Sequence, residues 1–124
     1  MRKTATMAAT AASLVLGAGL LAAASAQAAE GNLTERQKEG KEIAFDRRKG
    51  NCLACHMMDD GVSPGDIGPP LVAMKARFPE RERLYTQIYD PMKMNPGTRM
   101  PPFGAHKILS EEEINKVVDY LYTL

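Results

Sequence analysis

Residues 50–56 read Gly50-Asn51-Cys52-Leu53-Ala54-Cys55-His56, and the meaning of that stretch decides the fold. Two thiols three positions apart on a tight turn can each add to one vinyl group of a single porphyrin. The histidine that follows is then set to point its imidazole at the iron. Cys-x-x-Cys-His is accordingly the attachment signature of a c-type haem. On that reading Cys52 and Cys55 are the covalent anchors of one haem c, and His56 is an axial ligand of its iron. Two rival readings use the same residues. A zinc site needs four ligands, and the soft donors Cys52, Cys55, His56 and His106 would all have to serve, with His106 far down the chain and at no usual finger spacing. A thioredoxin-like redox pair expects a βαβ setting, and no run of this sequence shows sustained strand alternation.

Upstream of the motif the chain opens with Arg2 and Lys3, followed by an uncharged Ala/Leu/Val-rich stretch from Met7 to Ala24 and then Ala26-Gln27-Ala28. A basic start, an apolar middle and a small-residue cleavage site are the parts of a secretory signal peptide. Residues 1–28 are read as that signal and residues 29–124 as the mature domain, exported to the periplasm with no membrane span left after cleavage. A retained anchor is the weaker reading, because the apolar stretch is Ala-rich and interrupted by Ser13, Gly17 and Gly19. Removing the leader lowers Lys+Arg from 16 to 14 against 15 Asp+Glu, which leaves a net charge near −1. That balance lacks the basic excess of a nucleic-acid binder. A secreted domain of this size buries only a modest core and commonly needs a staple. Its only two cysteines are too close together to close a long loop, so a covalently attached macrocycle is the natural filling.

Downstream and upstream elements are legible from their caps. Thr34 with Gln37 forms a capping box, predicting a helix from Glu35 to about Asp46, with Gly40 inside it where another helix comes close. Residues 57–70 carry Gly61, Pro64, Gly65, Gly68, Pro69 and Pro70 and read as a loop. Phe78-Pro79-Glu80 is expected to start another helix that Pro91 ends, with Leu84 and Ile88 on its apolar face. Ser110 with Glu113 forms a second capping box, and Ile114, Val117, Val118 and Leu121 follow at helical spacing. The fold class is all-α, with short helices and long loops.

An iron held by one histidine needs a second axial ligand or an open site. Met100 is the leading choice, because Pro101 and Pro102 stiffen the backbone immediately after it and Pro101 biases Met100 toward an extended conformation. Met92, Met94 and His106 are the alternatives. His/Met ligation raises the reduction potential and fills both axial positions, which argues for electron transfer rather than chemistry on a small molecule. An axial histidine normally donates its other ring N–H to a carbonyl. The loop Gly68-Pro69-Pro70-Leu71 follows closely, making the Pro69 carbonyl the expected acceptor and Leu71 a packing partner of the haem, the alternative being a plain turn.

Cys52-x-x-Cys55-His56, Gly68-Pro69-Pro70-Leu71, Met100 and the closing amphipathic helix together resemble class I cytochromes c over essentially the whole mature chain. In that family the first and last helices cross at a glycine, so Gly40 is expected to face Val117, Tyr120 or Leu121. A narrower likeness lies in Pro64-Gly65-Asp66-Ile67-Gly68-Pro69-Pro70-Leu71, in Asn95-Pro96-Gly97-Thr98-Arg99-Met100-Pro101-Pro102-Phe103-Gly104 and in Ile108-Leu109-Ser110. These resemble the SoxX family, the small monohaem subunits of SoxAX cytochromes. The resemblance implies a heterodimer with a SoxA-type cytochrome subunit. It implies a complex that oxidatively couples thiosulfate to a cysteine of a SoxYZ-type carrier (an L-cysteine S-thiosulfotransferase), with electrons passed on to a soluble cytochrome. It implies no catalytic residue on this chain, whose two thiols are both used by the haem. The alternative is a free, diffusible class I cytochrome c serving a respiratory chain.

Overall fold

The computed structural model describes residues 33–124, so the leader expected over residues 1–28 lies outside the described residues. Thr34 opens the first helix: the Gln37 amide donates to Thr34 Oγ1 at 3.3 Å and the Thr34 amide donates to Gln37 Oε1 at 2.9 Å. The helix, α1, runs Glu35–Phe45. The second box forms in the same way, with the Glu113 amide donating to Ser110 Oγ at 3.1 Å and the Ser110 amide to Glu113 Oε2 at 2.9 Å. These bonds satisfy amides that a helix start otherwise leaves without partners.

Three further helices follow α1: α2 (Met74–Arg77), α3 (Arg81–Tyr89) and α4 (Glu111–Leu121), with single 3₁₀ turns at Cys52–Ala54 and Pro91–Lys93. No strand occurs among the described residues. α4 contributes more to the core than any other helix, burying Ile114, Val117, Val118, Tyr120 and Leu121. α1 adds Ile43 and Ala44, and α3 adds Leu84 and Ile88. The crossing of α1 over α4 falls at Gly40. A Cβ there would collide with the Lys116 carbonyl and stand 3.0 Å from Tyr120 Cβ. The contact on Tyr120 is among those expected; its other partner is Lys116, one residue before Val117.

Ion pairs rim this crossing. Arg36 reaches Glu112 at 2.5 Å and Asp119 at 2.6 Å, Lys116 reaches Glu39 at 2.6 Å, and Arg81 brings α3 to Asp119 at 2.8 Å. Such exposed pairs are each worth about 0–1 kcal/mol, so they orient the helices more than they hold them.

The structure corrects the reading of residues 74–91. α3 begins at Arg81, with Glu80 as its N-cap, and Phe78 and Pro79 lie before it. Pro79 disfavours helical dihedrals at the residue before it, and Phe78 accordingly sits at φ −129°, ψ 73° and closes α2 instead. α2 is too short to carry a periodic signal. Pro91 opens a 3₁₀ turn two residues after α3 ends.

Two expectations follow. Gly40→Val should separate α1 from α4 and lower stability by about 1–3 kcal/mol, the usual cost of overpacking, read as a lower denaturant midpoint with the haem retained. Acid should also act at this end. The Lys49 ammonium, with the Ser110 amide, holds Glu113 below its ordinary value of 4.5, and Arg36 does the same for Glu112. Carboxylates depressed in the folded state stabilise it fully above their unfolded value and cease to do so as pH falls through the lowered one. The thermal midpoint should therefore decline below about pH 4.5. Glu113→Gln, which keeps the capping acceptor, should make that decline shallower.

Candidate haem site

The chain leaves α1 through a tight reversal. The Asp46 carbonyl accepts from the Lys49 and Asn51 amides, both at 3.0 Å, and Gly50 donates to Ile43 O at 3.1 Å. Asn51 takes left-handed dihedrals (φ 46°), which asparagine tolerates better than most residues. The 3₁₀ turn Cys52–Ala54 follows, and the His56 amide closes back on Cys52 O at 2.9 Å. Cys52, Cys55 and His56 therefore share one turn. Neither cysteine is in a disulfide.

The loop that follows returns along this turn. Gly65 donates to Leu53 O at 2.9 Å, Gly68 to Cys55 O at 2.8 Å and Leu71 to Met57 O at 2.8 Å. The return brings the Pro69 carbonyl oxygen within 2.7 Å of His56 Nδ1. A carbonyl can only accept, so Nδ1 carries the proton, and in the neutral imidazole Nε2 then keeps its lone pair. Gly68 lies against the ring itself: a Cβ there would stand 2.5 Å from Nδ1 and 2.8 Å from Nε2. The start of the loop is pinned as well, with Tyr120 Oη donating to Asp59 Oδ2 at 3.0 Å and Lys41 Nζ between Asp59 and Asp60 at 3.1 and 2.9 Å.

Cys52, Cys55, His56, Pro69, Leu71 and Met100 all line one cavity of about 660 Å³. Its remaining walls come largely from the core, including Met74, Leu84, Ile88, Phe103, Val117 and Leu121. The volume is within the roughly 300–1,000 Å³ of sites that enclose a cofactor-sized ligand. Met100 comes in on a separate segment from the His56 support, and its amide donates to Thr98 Oγ1 at 3.1 Å. Of the alternatives, Met92 and Met94 are 43 and 38% exposed, and neither they nor His106 line the cavity. The residues present fit a haem: paired thiols, an imidazole nitrogen with a free lone pair, a thioether and apolar walls.

The rival readings find no support in this geometry. Among the described residues no group of three or more His, Cys, Asp or Glu side chains is clustered to hold a metal ion, so a zinc site lacks ligands. Burial pushes the Cys52 thiol up to about 11, which keeps it protonated near neutrality, whereas a redox-active pair depends on a thiolate.

Two features escaped the sequence. Gln87 of α3 also lines the cavity, with its Nε2 at 3.7 Å from Met100 Sδ. The signal was present, since Gln87 falls on the same helical stripe as Leu84 and Ile88. Four cations, Arg47, Lys49, Arg77 and Arg99, also line the cavity, and no aspartate or glutamate does.

An all-α fold of short helices around a Cys-x-x-Cys-His turn defines a c-type cytochrome, a haem electron-transfer protein with covalently bound haem c. Residues 35–121 match the family described as cytochrome c oxidase, cbb3-type, subunit III, and the chain belongs to that family. A relative from Aquifex aeolicus (strain VF5), described as an uncharacterized lipoprotein, is 38% identical over 76 residues. That match covers 60% of this chain and 37% of the relative.

The packing at His56 gives a direct test. Gly68→Ala should force the imidazole off its support, at a cost of about 1–3 kcal/mol. With His56 ligating the iron, as the sequence leads one to expect, the ferric protein should then show a substantial high-spin fraction in its absorption spectrum. A fully low-spin spectrum identical to that of the unsubstituted protein would contradict the assigned packing.

Proposed function

We propose that Cys52 and Cys55 hold the haem by thioether bonds, that His56 Nε2 and Met100 Sδ are its two axial ligands, and that the chain relays single electrons outside the cytoplasm. The observation that carries this reading is the 2.7 Å contact of His56 Nδ1 with the Pro69 carbonyl. It fixes the tautomer that leaves Nε2 free to ligate, while Met100 lines the same cavity. With both axial positions taken, small molecules have no place on the iron, and outer-sphere electron transfer is the chemistry that remains. Haem supplies a one-electron couple when bound. The chain's part is to hold the imidazole and the thioether at fixed positions, exclude water with apolar walls, and set the potential through ligand identity.

The sequence likeness to SoxX refines the reading. In it this chain is the small, electron-relaying subunit of a SoxAX-type complex, paired with a larger SoxA-type cytochrome. The sulfur chemistry, coupling of thiosulfate to a cysteine of a SoxYZ-type carrier, belongs to the partner. The cysteine count supports that division, because thioether formation leaves this chain no thiol to act as a nucleophile. Export to the periplasm fits the leader read at residues 1–28. No helix among the described residues is long and apolar enough to cross a membrane.

One observation favours the second reading, a free carrier for a respiratory chain. Arg47, Arg77 and Arg99 line the cavity and no aspartate or glutamate does, an arrangement suited to steering toward an acidic docking surface, while Lys49, also in the lining, is paired with Glu113 at 2.6 Å. Purification from the native periplasm separates the two. Co-elution with a larger cytochrome supports the subunit reading, and a monomer alone supports the free carrier. For the ligand set, Met100→Ala should abolish the weak far-red methionine–iron charge-transfer band. It should also open the iron to cyanide and lower the potential by on the order of a hundred millivolts, within the ≈0.8 V that axial ligands span. Survival of the band would reassign the ligand.

A further inference from the structure

α3 turns Leu84 and Ile88 into the core, and the same stripe carries the amide of Gln87, which is half-buried. A leucine would satisfy the packing pattern at that position. The amide instead reaches the cavity and donates from Nε2 to Met100 Sδ at 3.7 Å, within the range of a hydrogen bond to sulfur. Met100 is thus gripped at both ends, its amide by Thr98 Oγ1 and its sulfur by Gln87.

We infer that Gln87 is a positioning residue for electron transfer: its N–H occupies one lone pair of Met100 Sδ, aims the other at the iron, and by drawing density from the sulfur favours the ferrous state. This rests on Met100 being the axial ligand. A thioether sulfur has two lone pairs, and only one can bind iron. A donor on the second makes the sulfur a weaker ligand, and ferric iron loses more from that than ferrous iron does. Hydrogen bonding to a ligand is one of the means by which a protein sets haem potential. The reduction potential is therefore raised above what His/Met ligation alone supplies.

The test uses holoprotein. Gln87→Leu keeps the bulk and helix propensity of the site and removes the donor. Its midpoint potential should fall by an amount equal to about three- to tenfold in the one-electron equilibrium, where tenfold is 59 mV. The methionine–iron charge-transfer band should persist at a shifted energy, and loss of the methionine ligand at alkaline pH should move to higher pH. Gln87→Asn, which keeps an amide but withdraws it by one carbon, should behave like the leucine variant and serves if that variant does not mature. A potential unchanged within about twofold, with the band intact and in place, overturns the inference, as does an asparagine variant indistinguishable from wild type. A wild-type ferric protein with no charge-transfer band refutes the ligand set itself, an outcome distinct from either.

Discussion

The hydrogen bond from His56 Nδ1 to the Pro69 carbonyl ties the Cys-x-x-Cys-His turn to the loop that supports it, and the other features of the site are arranged around it. An unsupported imidazole on a short turn would rotate about two side-chain bonds and could present either nitrogen. Here the carbonyl selects the tautomer, the Gly68 backbone fills the space beside the ring, and three backbone hydrogen bonds hold the loop along the turn. Only glycine at position 68 permits this closeness, so the course of the backbone and the placing of the imidazole are one constraint. The prolines that follow it stiffen the stretch that supplies the acceptor.

The helices serve that arrangement from behind. α1 delivers the chain to the turn, and α4 crosses α1 at Gly40 and puts Val117 and Leu121 into the cavity wall. Tyr120 of α4 reaches past the crossing to Asp59, three residues after His56. Lys41 of α1 joins the same carboxylate. The packing of α1 and α4 is therefore tied to the start of the loop that follows His56. A change at the crossing bears directly on Lys116 and Tyr120, and through Tyr120 on the anchoring of Asp59.

Much of this was written in the sequence because its determinants are local. The Cys-x-x-Cys-His turn, the two capping boxes and the glycine in α1 are each decided by residues within a few positions of one another. α2 was not legible, since four residues cannot display a period of 3.6, and its N-cap, Ala73, carries no capping side chain. The start of α3 was misplaced because proline at a first turn and proline just outside it look alike until the dihedrals of Phe78 are known. Gln87 was visible as a polar residue on an apolar stripe, but its partner lies across the cavity, and only the fold brings the two together. The cationic lining has the same origin: Arg47, Arg77 and Arg99 come from three separate segments and converge in space alone.

Charge and thiol chemistry together limit what such a site can do. The two cysteines belong to the haem turn, and the cations around the cavity have no nucleophile or general base among them. α3 and α4 contribute Leu84, Ile88, Val117 and Leu121 to the cavity wall, an apolar surface suited to a porphyrin, with Gln87 as the polar member of the α3 stripe. His56 and Met100 line the same cavity from separate segments of the chain, each with its own hydrogen-bonded support. A site built in this way favours one event, the gain or loss of an electron with little movement of the groups that hold the iron. Rigidity is then the functional property, and the hydrogen bonds to His56, to the Met100 amide and to the Met100 sulfur are where the chain provides it.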